Sequence, residues 1–281
     1  MLIEDVLKLT RLDRPQGALL LFFPCAFTIS LVSNKFDFLL LLKFLLASCC
    51  ARACGCIIND ILDRKIDAVV ARTKDRPIAS GRVQVLEAMF VLFVMLWPTV
   101  YFLLSLKFLS FFFCALSVPM IMAYPLMKRV TYFPQVFLGL TFNIGVFVAC
   151  IESVGYISYS VILLYFACVF WTIGYDTIYG FMDIEDDIKN NNKSLSIFIS
   201  TKNPKLWLYA FYSIFLALIF FAIATQDEGF SIIGFCLLLL PAVHLFNQIY
   251  SLDLSSSASC LEKFNSNLNT GIILCLALYL S

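Results

Sequence analysis

The stretch FDFLLLLKFLLASCCARACGCIINDILDRKID, residues 36–67, decides the fold, because an apolar run that can cross a membrane ends there in a cluster of carboxylates. A membrane-spanning helix needs about 20 mostly apolar residues, and residues 36–58 supply them. Further runs of this kind lie on both sides, at residues 17–33, 86–106, 108–125, 134–151, 156–175, 206–225, 230–250 and, shorter, 270–281. The sequence therefore predicts an all-α, multi-pass transmembrane helical bundle of eight or nine helices, with nine favoured. We expect residues 1–281 to form a single integral-membrane domain.

The composition agrees with a membrane protein. Hydrophobic residues make up 61% of the chain and charged residues 14%, against roughly 45–50% and roughly 25% in soluble domains. The net charge of +1 provides no basic field for nucleic acid, so no nucleic-acid partner is expected. Ten of the eleven cysteines lie in apolar runs, where Cys behaves as a small hydrophobe, and we expect no disulfide framework. Residues 1–16 contain three acids and no small-residue cleavage site, so no cleaved signal peptide is predicted.

Lysines and arginines indicate the orientation of the spans. On the nine-span reading, 17 of the 20 basic residues fall on one side of the membrane. Basic residues are enriched in cytoplasmic links, so the N-terminus and the links after spans two, four, six and eight are predicted to be cytoplasmic. This asymmetry concerns topology only and says nothing about chemistry.

Two acidic clusters close two of the predicted spans at the same membrane face. The first reads NDILDRKID at residues 59–67, and the second reads DTIYGFMDIEDD at residues 176–187. A carboxylate at a membrane helix end is costly unless it is paired or metal-bound. The plain alternative is that these are solvated charges that cap two helices, but the two sets have matched spacing and lie on one side.

Helical geometry arranges each cluster as a column of oxygen atoms. At about 100° per residue, Asn59, Asp63 and Asp67 fall within roughly 80°, and the second set falls within about 40°. That second set is Asp176, Asp183 and Asp187. Like charges at this spacing repel, so each column needs a compensating cation, and oxygen-only ligands favour a hard ion such as Mg²⁺. Basic side chains close by in the sequence can bind phosphate; they are Arg64, Arg72, Arg76, Lys128 and Arg129.

The residues around both clusters form longer motifs. The first cluster, NDxxDRxxD, continues to ARTxxRPIASG at residues 71–81, and the second has the pattern DxxYxxxDxxxD. The chain also contains YPLMKR at residues 124–129 and RLDRPQG at residues 11–17. Together these stretches resemble the UbiA superfamily of intramembrane aromatic prenyltransferases, in which a YxxxK loop lies between the fourth and fifth helices. The resemblance extends over nearly the whole chain, and the short final span departs from it.

The resemblance implies a central cavity for a prenyl chain and an aromatic ring. It implies Mg²⁺-dependent transfer of a polyprenyl group from polyprenyl diphosphate to the ring carbon ortho to the hydroxyl of 4-hydroxybenzoate, with release of diphosphate, in ubiquinone biosynthesis. The implied catalytic carboxylates are Asp63, Asp67, Asp176, Asp183 and Asp187. Asn59 and Asp60 complete the implied metal-ligand set with these five. The implied diphosphate-binding set is Asn59, Arg72, Lys128, Arg129 and Tyr179.

Several assignments stay open at this point. Arg14 and Arg52 are candidates for binding the acceptor carboxylate, and each can equally pair with phosphate or a lipid headgroup. Asp60 can bind the metal or simply hold Arg64. The one histidine, His244, lies far from both motifs in the sequence and is interpreted as a polar packing residue.

Other functions fit part of this pattern. The menaquinone-branch prenyltransferases and haem O synthase share the acidic motifs. A small-solute transporter is less favoured because transporters place polar residues near mid-membrane, whereas here the acids lie at one face; an inactive lipid-binding scaffold is a third alternative. The predicted location is a bacterial inner membrane with the site toward the cytoplasm, with a mitochondrial inner membrane as the alternative.

Overall fold

The computed structural model describes residues 2–33, 37–69, 73–189, 191–226 and 231–281. Within these residues the regular structure is helical and contains no β-strand. Among them, six helices are long and apolar enough to cross a membrane: Phe38–Leu62, Val85–Ser105, Pro134–Val154, Tyr159–Lys189, Pro204–Ala224 and Ile232–Tyr250. Two shorter apolar helices, Gln16–Val32 and Phe108–Tyr124, lie where further spans are predicted. The all-α, multi-pass membrane fold is confirmed, and the count of eight or nine spans stays a prediction.

The helix boundaries follow the sequence in most places. Pro134 and Pro204 begin their helices at positions where the missing N–H costs nothing, and Gln84 and Glu87 form a capping box at the start of another. In chain order the helices are α1 (Ile3–Thr10), α2 (Gln16–Val32), α3 (Phe38–Leu62), α4 (Arg64–Asp67), α5 (Val85–Ser105), α6 (Phe108–Val130), α7 (Pro134–Phe142), α8 (Gly145–Val154), α9 (Tyr159–Gly180), α10 (Ile184–Lys189), α11 (Leu195–Ser200), α12 (Pro204–Ala224), α13 (Ile232–Tyr250) and α14 (Ser257–Tyr279).

The chain divides into two compact units. The first unit contains Met1–Phe22 and Phe38–Leu106, and the second contains Phe23–Asp37 and Lys107–Ser281. The boundary inside the N-terminal half falls within α2. The expectation that residues 1–281 form a single domain stays a prediction.

The first unit is built around a small apolar core that joins α1, α3 and α5. Leu9 of α1 and Ile57 of α3 are completely buried there, together with Ile78 and Val83 from the segment before α5. Because Ile78 and Val83 are anchored in this core, residues 73–84 lie beside the end of α3. This places Arg76 beside the first acidic cluster.

The second unit is built around α9. Trp171, near the middle of α9, has no exposed surface and packs against Phe23 and Phe27 of α2 and Phe215 of α12, with ring centroids 6.3, 5.4 and 5.9 Å away. Aromatic pairs at these separations add to the free energy gained from burial. This packing fixes α9, and with it the second acidic cluster at its end.

The last helix is longer than the sequence pattern indicates. The apolar run at residues 270–281, expected as a short final span, belongs to a longer helix, since α14 runs from Ser257 to Tyr279; whether it spans the membrane stays a prediction. The apolar run does not reveal the first part of α14, because that part contains many polar residues. Polar side chains such as Asn267 and Thr270 are buried in the protein interior. Asn267 accepts a hydrogen bond of 2.9 Å from the Trp171 indole, so these side chains act in packing.

The cysteines behave as the sequence analysis expects. All eleven are free thiols. Six of them are buried: Cys25, Cys54, Cys56, Cys150, Cys168 and Cys260. They serve as small apolar packing residues, and no disulfide contributes to the fold.

Candidate functional site

The second acidic cluster lines a small pocket in the second unit. After α9 ends at Gly180, a 3-10 turn at Phe181–Asp183 leads into α10. The residues that flank this turn keep right-handed helical dihedral angles, so the direction of the helix is preserved. As a result Asp176, Asp183 and Asp187 all line one cavity of about 90 Å³. The prediction that these three carboxylates share a face is confirmed.

Lys128 lines the same pocket, together with Tyr124. The two residues are four apart near the end of α6, so both side chains leave the same face of the helix. The prediction that the YxxxK motif forms a loop is wrong here, because α6 continues to Val130. Lys128 is a cation among three carboxylates, which suits it to the oxygens of a phosphate group.

Four further residues line the pocket: Gln135, Tyr179, Gly180 and Ser194. The Gln135 side-chain oxygen accepts a hydrogen bond of 2.9 Å from the Leu195 amide. The Ser194 hydroxyl caps α11 by accepting from the Ile197 amide. The sequence motifs identify Tyr179 but not the other three, since a single glutamine in α7, a glycine at the end of α9 or a serine before α11 gives no motif signal.

Gly180 is required by a close approach. A Cβ at this position would collide with the hydroxyl of Ser196, which itself donates to the Thr177 carbonyl at 2.8 Å. Because α11 packs so closely here, the pocket wall is held against the end of α9.

The segment after α10 is attached to the pocket at two points. Asn192 donates to the Asp187 carboxylate at 3.2 Å. The Lys193 amide donates to the Lys128 carbonyl at 2.7 Å. These bonds hold two pocket residues, Asp187 and Lys128, to one stretch of backbone.

The remaining acids of the second cluster face outward. Glu185 and Asp186 are exposed, and Lys189 lies 3.9 Å and 3.7 Å from their carboxylates. Such surface ion pairs contribute little to stability. These two residues are therefore solvated charges at a helix end, the alternative considered above for the whole cluster.

The first acidic cluster contains a buried ion-pair network. Arg11 donates to both oxygens of Asp60, at 2.7 and 2.9 Å. One nitrogen of Arg76 lies 3.1 Å from Asp60 and 2.8 Å from Asp67. The side chain of Asp60 is only 2% exposed and that of Asp67 9%. The suggestion that Asp60 holds Arg64 is wrong, because Arg64 donates to the Ile61 carbonyl instead.

The first column is only partly formed as predicted. The backbone hydrogen bonds continue from Asn59 to Asp63 and from Asp63 to Asp67, both at 2.8 Å. However, α3 ends at Leu62, and Asp63 has φ −91° and ψ 4°. Asn59 and Asp63 are exposed, while Asp67 is buried against Arg76. The helical period could not predict this difference, because the arginine comes from a separate segment.

The other predicted residues lie in varied surroundings. Arg129 is exposed and does not line the pocket of Lys128. Arg14 is exposed and lies 3.9 Å from Asp13. The Arg52 guanidinium passes over Gly17, where a Cβ would approach it to 2.9 Å. Arg72 lies outside the described residues.

His244 has a packing role, as interpreted from the sequence. Its Nε2 lies 3.0 Å from the carbonyl of Ser266, which links α13 to α14. Neighbouring Gln248 donates to the Lys263 carbonyl and the Ser266 hydroxyl, both at 2.7 Å. This polar contact joins two helices and takes no part in the pocket.

The pocket donors suit a hard divalent cation that arrives with a diphosphate. Within the described part of the chain, no three His, Cys, Asp or Glu side chains are grouped closely enough to hold a metal ion alone. Mg²⁺ in such sites is usually bound through one or two carboxylates plus substrate phosphates. Asp176, Asp183 and Asp187 supply carboxylate oxygens, and Lys128 supplies a countercharge for phosphate. The residues therefore fit a metal site that the substrate completes.

Comparison with known proteins gives matches over most of this chain. The model of the UbiA prenyltransferase family matches residues 21–271. The chain is 37% identical over 280 residues to "4-hydroxybenzoate polyprenyltransferase, mitochondrial" of Drosophila melanogaster, covering 97% of this chain and 70% of the relative. It is 36% identical over 282 residues to the Homo sapiens protein of the same name, covering 99% and 75%.

Solved structures share the fold. A UbiA homolog from Aeropyrum pernix K1 in its apo form superposes with a TM-score of 0.73 at 24% identity, covering 92% of this chain and 96% of that one. A UbiA homolog from Archaeoglobus fulgidus bound to GPP and Mg²⁺ gives a TM-score of 0.65 at 16% identity, covering 98% and 99%. At these identities the likeness concerns the fold alone.

Proposed function

This chain belongs to the UbiA prenyltransferase family and is an integral-membrane prenyltransferase, and on that premise we propose its reaction. It transfers a polyprenyl group from polyprenyl diphosphate to the ring carbon ortho to the hydroxyl of 4-hydroxybenzoate. Diphosphate is released, and the product enters ubiquinone biosynthesis. The names of the relatives support this acceptor.

One observation carries the proposal: the pocket at the end of α9 joins Lys128 to three carboxylates. A diphosphate leaving group needs positive charge beside it, and a metal ion needs carboxylate oxygens. Both kinds of group line a cavity beside a membrane-spanning helix. This arrangement suits a substrate with a charged head and an apolar tail.

In the reaction, the bond between the first carbon of the prenyl chain and the diphosphate oxygen breaks. The electron pair leaves with the diphosphate, and Lys128 stabilises the charge that develops there. The ring carbon of the acceptor then forms the new carbon–carbon bond, and loss of its proton restores aromaticity. The apolar and aromatic side chains of the helices exclude water, which would otherwise capture the allylic cation.

We propose that Mg²⁺ is the divalent ion. Asp176, Asp183 and Asp187 would hold it in the second unit, and when bound it supplies Lewis-acid neutralisation of the diphosphate oxygens. The Archaeoglobus fulgidus homolog bound to GPP and Mg²⁺ supports this choice. Tyr179, which lines the same pocket, would orient the diphosphate.

We propose that the first cluster serves the same reaction. Its implied metal ligands are Asn59, Asp60, Asp63 and Asp67. The exposed Asn59 and Asp63 are open to ligands, whereas Asp60 and Asp67 accept from Arg76. Arg72 and Arg129 are proposed to add positive charge for the diphosphate, and residues 1–281 are proposed to act as one catalytic domain.

Arg52 is the stronger proposal for binding the acceptor carboxylate. Its guanidinium packs against Gly17, where a Cβ would come within 2.9 Å of it, and the residue is exposed. A guanidinium binds a carboxylate with paired hydrogen bonds. Arg14 is the second candidate, but its side chain is 81% exposed and flanked by Asp13.

The finer location is also a proposal. The expectation from the sequence is a bacterial inner membrane, with the site toward the cytoplasm. The relatives compared above are named as mitochondrial proteins, which supports the mitochondrial inner membrane. Both are inner membranes, and fractionation of the source cells distinguishes them.

The acceptor assay tests the proposed reaction. Detergent-purified protein is supplied with a polyprenyl diphosphate, Mg²⁺ and one aromatic acceptor, and the product is identified by mass spectrometry. We expect prenylated 4-hydroxybenzoate, with far slower reaction of 1,4-dihydroxy-2-naphthoate. Equal turnover of the two acceptors would assign the chain to the menaquinone branch, and absence of any prenylated product would favour the transporter or scaffold reading.

A further inference from the structure

A second cavity lies in the second unit, between α7, α9 and α12. Its volume is about 400 Å³, within the range of about 300–1,000 Å³ typical of ligand sites. All of its lining side chains are apolar, among them Val136, Leu140, Phe166 and Phe211. The groove is open at the side, where Phe166 of α9 and Trp207 of α12 are 45% and 39% exposed.

This groove and the carboxylate pocket have no lining residue in common. Phe166, Phe170 and Ile173 follow one another at spacings of four and three, so they share one side of the helix. Asp176 lies roughly 60–120° around the helix from these three residues, whereas Val169, which also lines the groove, is within about 20° of it and about two turns earlier. The groove therefore lies beside the proposed diphosphate site and is lined by different residues.

Two lysines lie on an aromatic platform at one end of the groove. The platform consists of Tyr132, Phe133 and Phe198, in which the Phe198 ring lies 6.2 and 5.3 Å from the other two. Phe133 also lines the groove. Lys202 Nζ lies 3.5 Å from the centre of the Phe198 ring, and Lys193 Nζ lies 5.5 Å from that of Tyr132.

Neither lysine forms an ion pair with any residue that the structure describes. Each keeps its ammonium group beside the rings, in the links that follow α10 and α11. Lysines at the ends of membrane helices extend toward lipid headgroups. The Lys193 ammonium also donates to the Val130 carbonyl at 3.2 Å. Within the described residues no carboxylate neutralises either lysine, so a positive charge beside an apolar groove can bind a ligand that is both anionic and apolar.

We propose that this groove and platform bind an anionic phospholipid. One acyl chain lies in the groove against Leu140, Phe166 and Trp207, and the phosphate lies between Lys193 and Lys202. The groove opens on the side of spanning helices, where lipid is the solvent, and basic pockets between such helices select anionic headgroups. On this proposal the groove holds a structural lipid, and the prenyl diphosphate binds at the carboxylate pocket.

Trp207 provides a direct probe, because it lines the groove. Dibrominated phosphatidylglycerol is titrated into the purified full-length protein in a neutral detergent, and the quenching of tryptophan fluorescence is followed. Dibrominated phosphatidylcholine, which has the same chains and no net charge, is the comparison lipid. We expect saturable quenching by phosphatidylglycerol at a concentration about thirtyfold lower, on the scale of two lysines near an anionic headgroup.

Variants separate the headgroup site from the groove. Lys193→Ala combined with Lys202→Ala should reduce the phosphatidylglycerol affinity to that of phosphatidylcholine, while the control Lys74→Ala, an exposed lysine of the first unit, should not change it. Trp207→Phe should remove the saturable quenching. Val136→Phe, which narrows the groove, should weaken binding of both lipids, and retained prenyl transfer shows that the variant is folded.

Three results would overturn the proposal. Equal affinity for the two lipids would leave the lysines without a role. Quenching that persists unchanged in Trp207→Phe would place the lipid elsewhere, near Trp97 or Trp171. Displacement of the bound lipid by inorganic phosphate at equal concentration would assign the lysines to a free anion.

Discussion

Replacing Arg76 by glutamine tests the ion-pair network of the first unit. One nitrogen of Arg76 bridges Asp60 and Asp67, at 3.1 and 2.8 Å. Glutamine keeps a hydrogen-bond donor but removes the charge and shortens the side chain. Asp60 retains its bidentate contact with Arg11, whereas Asp67 loses the contact to Arg76.

The magnitude follows from the burial of the three side chains. Removing one partner of a fully buried ion pair costs about 3–5 kcal/mol. The carboxylates are 2% and 9% exposed, but Arg76 is 31% exposed, so water screens the network in part. We expect a loss of about 2 kcal/mol, which corresponds to a fall in melting temperature of about 4–8 °C.

The assay is thermal denaturation of detergent-purified protein, in which size-exclusion chromatography measures the folded protein that remains. Arg64→Gln is the matched control, because Arg64 is exposed and its side chain donates to the Ile61 carbonyl of its own chain segment. That variant should stay within about 0.5 kcal/mol of the parent protein. A double-mutant cycle of Arg76→Gln with Asp67→Asn isolates the coupling of the pair. Equal melting temperatures for Arg76→Gln and Arg64→Gln would refute the network as a stabilising feature.

Three further predictions concern other parts of the molecule. Lys128→Ala should leave the protein folded and raise the KM for prenyl diphosphate at least tenfold, because the pocket loses a cation. Lys189→Ala, on the exposed face of α10, is the control. Unchanged kinetics of Lys128→Ala at subsaturating prenyl diphosphate would show that Lys128 is not part of the site. Asn267→Leu should lower the melting temperature by several degrees, because the Trp171 indole N–H loses the oxygen that accepts its hydrogen bond at 2.9 Å. Leaving this buried donor without a partner costs about 1–3 kcal/mol. An unchanged melting temperature would contradict the packing role of Asn267 in α14. A topology reporter fused after Lys193 should behave as cytoplasmic and one after Ser153 should not, and the reverse pattern would contradict the charge-based orientation.

Most of the fold and the second half of the site could be predicted from the sequence. Long apolar runs fix the spans, because only helices satisfy their own backbone within a bilayer. The face shared by Asp176, Asp183 and Asp187 follows from the helical period alone, and it persists through the 3-10 turn between them. Lys128 reaches the same pocket, as its motif indicated.

The features that were missed depend on contacts between distant segments. Asp67 is buried by Arg76, which comes from a segment anchored through Ile78 and Val83, and no local pattern encodes that contact. The first half of α14 reads as polar, but Asn267 faces inward to meet Trp171. Gln135 and Ser194 enter the pocket only because α7 and α11 meet there.

The most direct test of the account is the rate of prenyl transfer against Mg²⁺ concentration for the parent protein, Asp63→Asn, Asp187→Asn and the double variant. Each single substitution removes one charge at nearly constant size and should lower the initial rate at least about a hundredfold, the scale for losing one preorganised electrostatic group. If both clusters act on one diphosphate, the double variant should be less impaired than the product of the two single effects. Near-parental rates in either single variant, fully multiplicative losses in the double, or undiminished activity in excess EDTA would contradict the account.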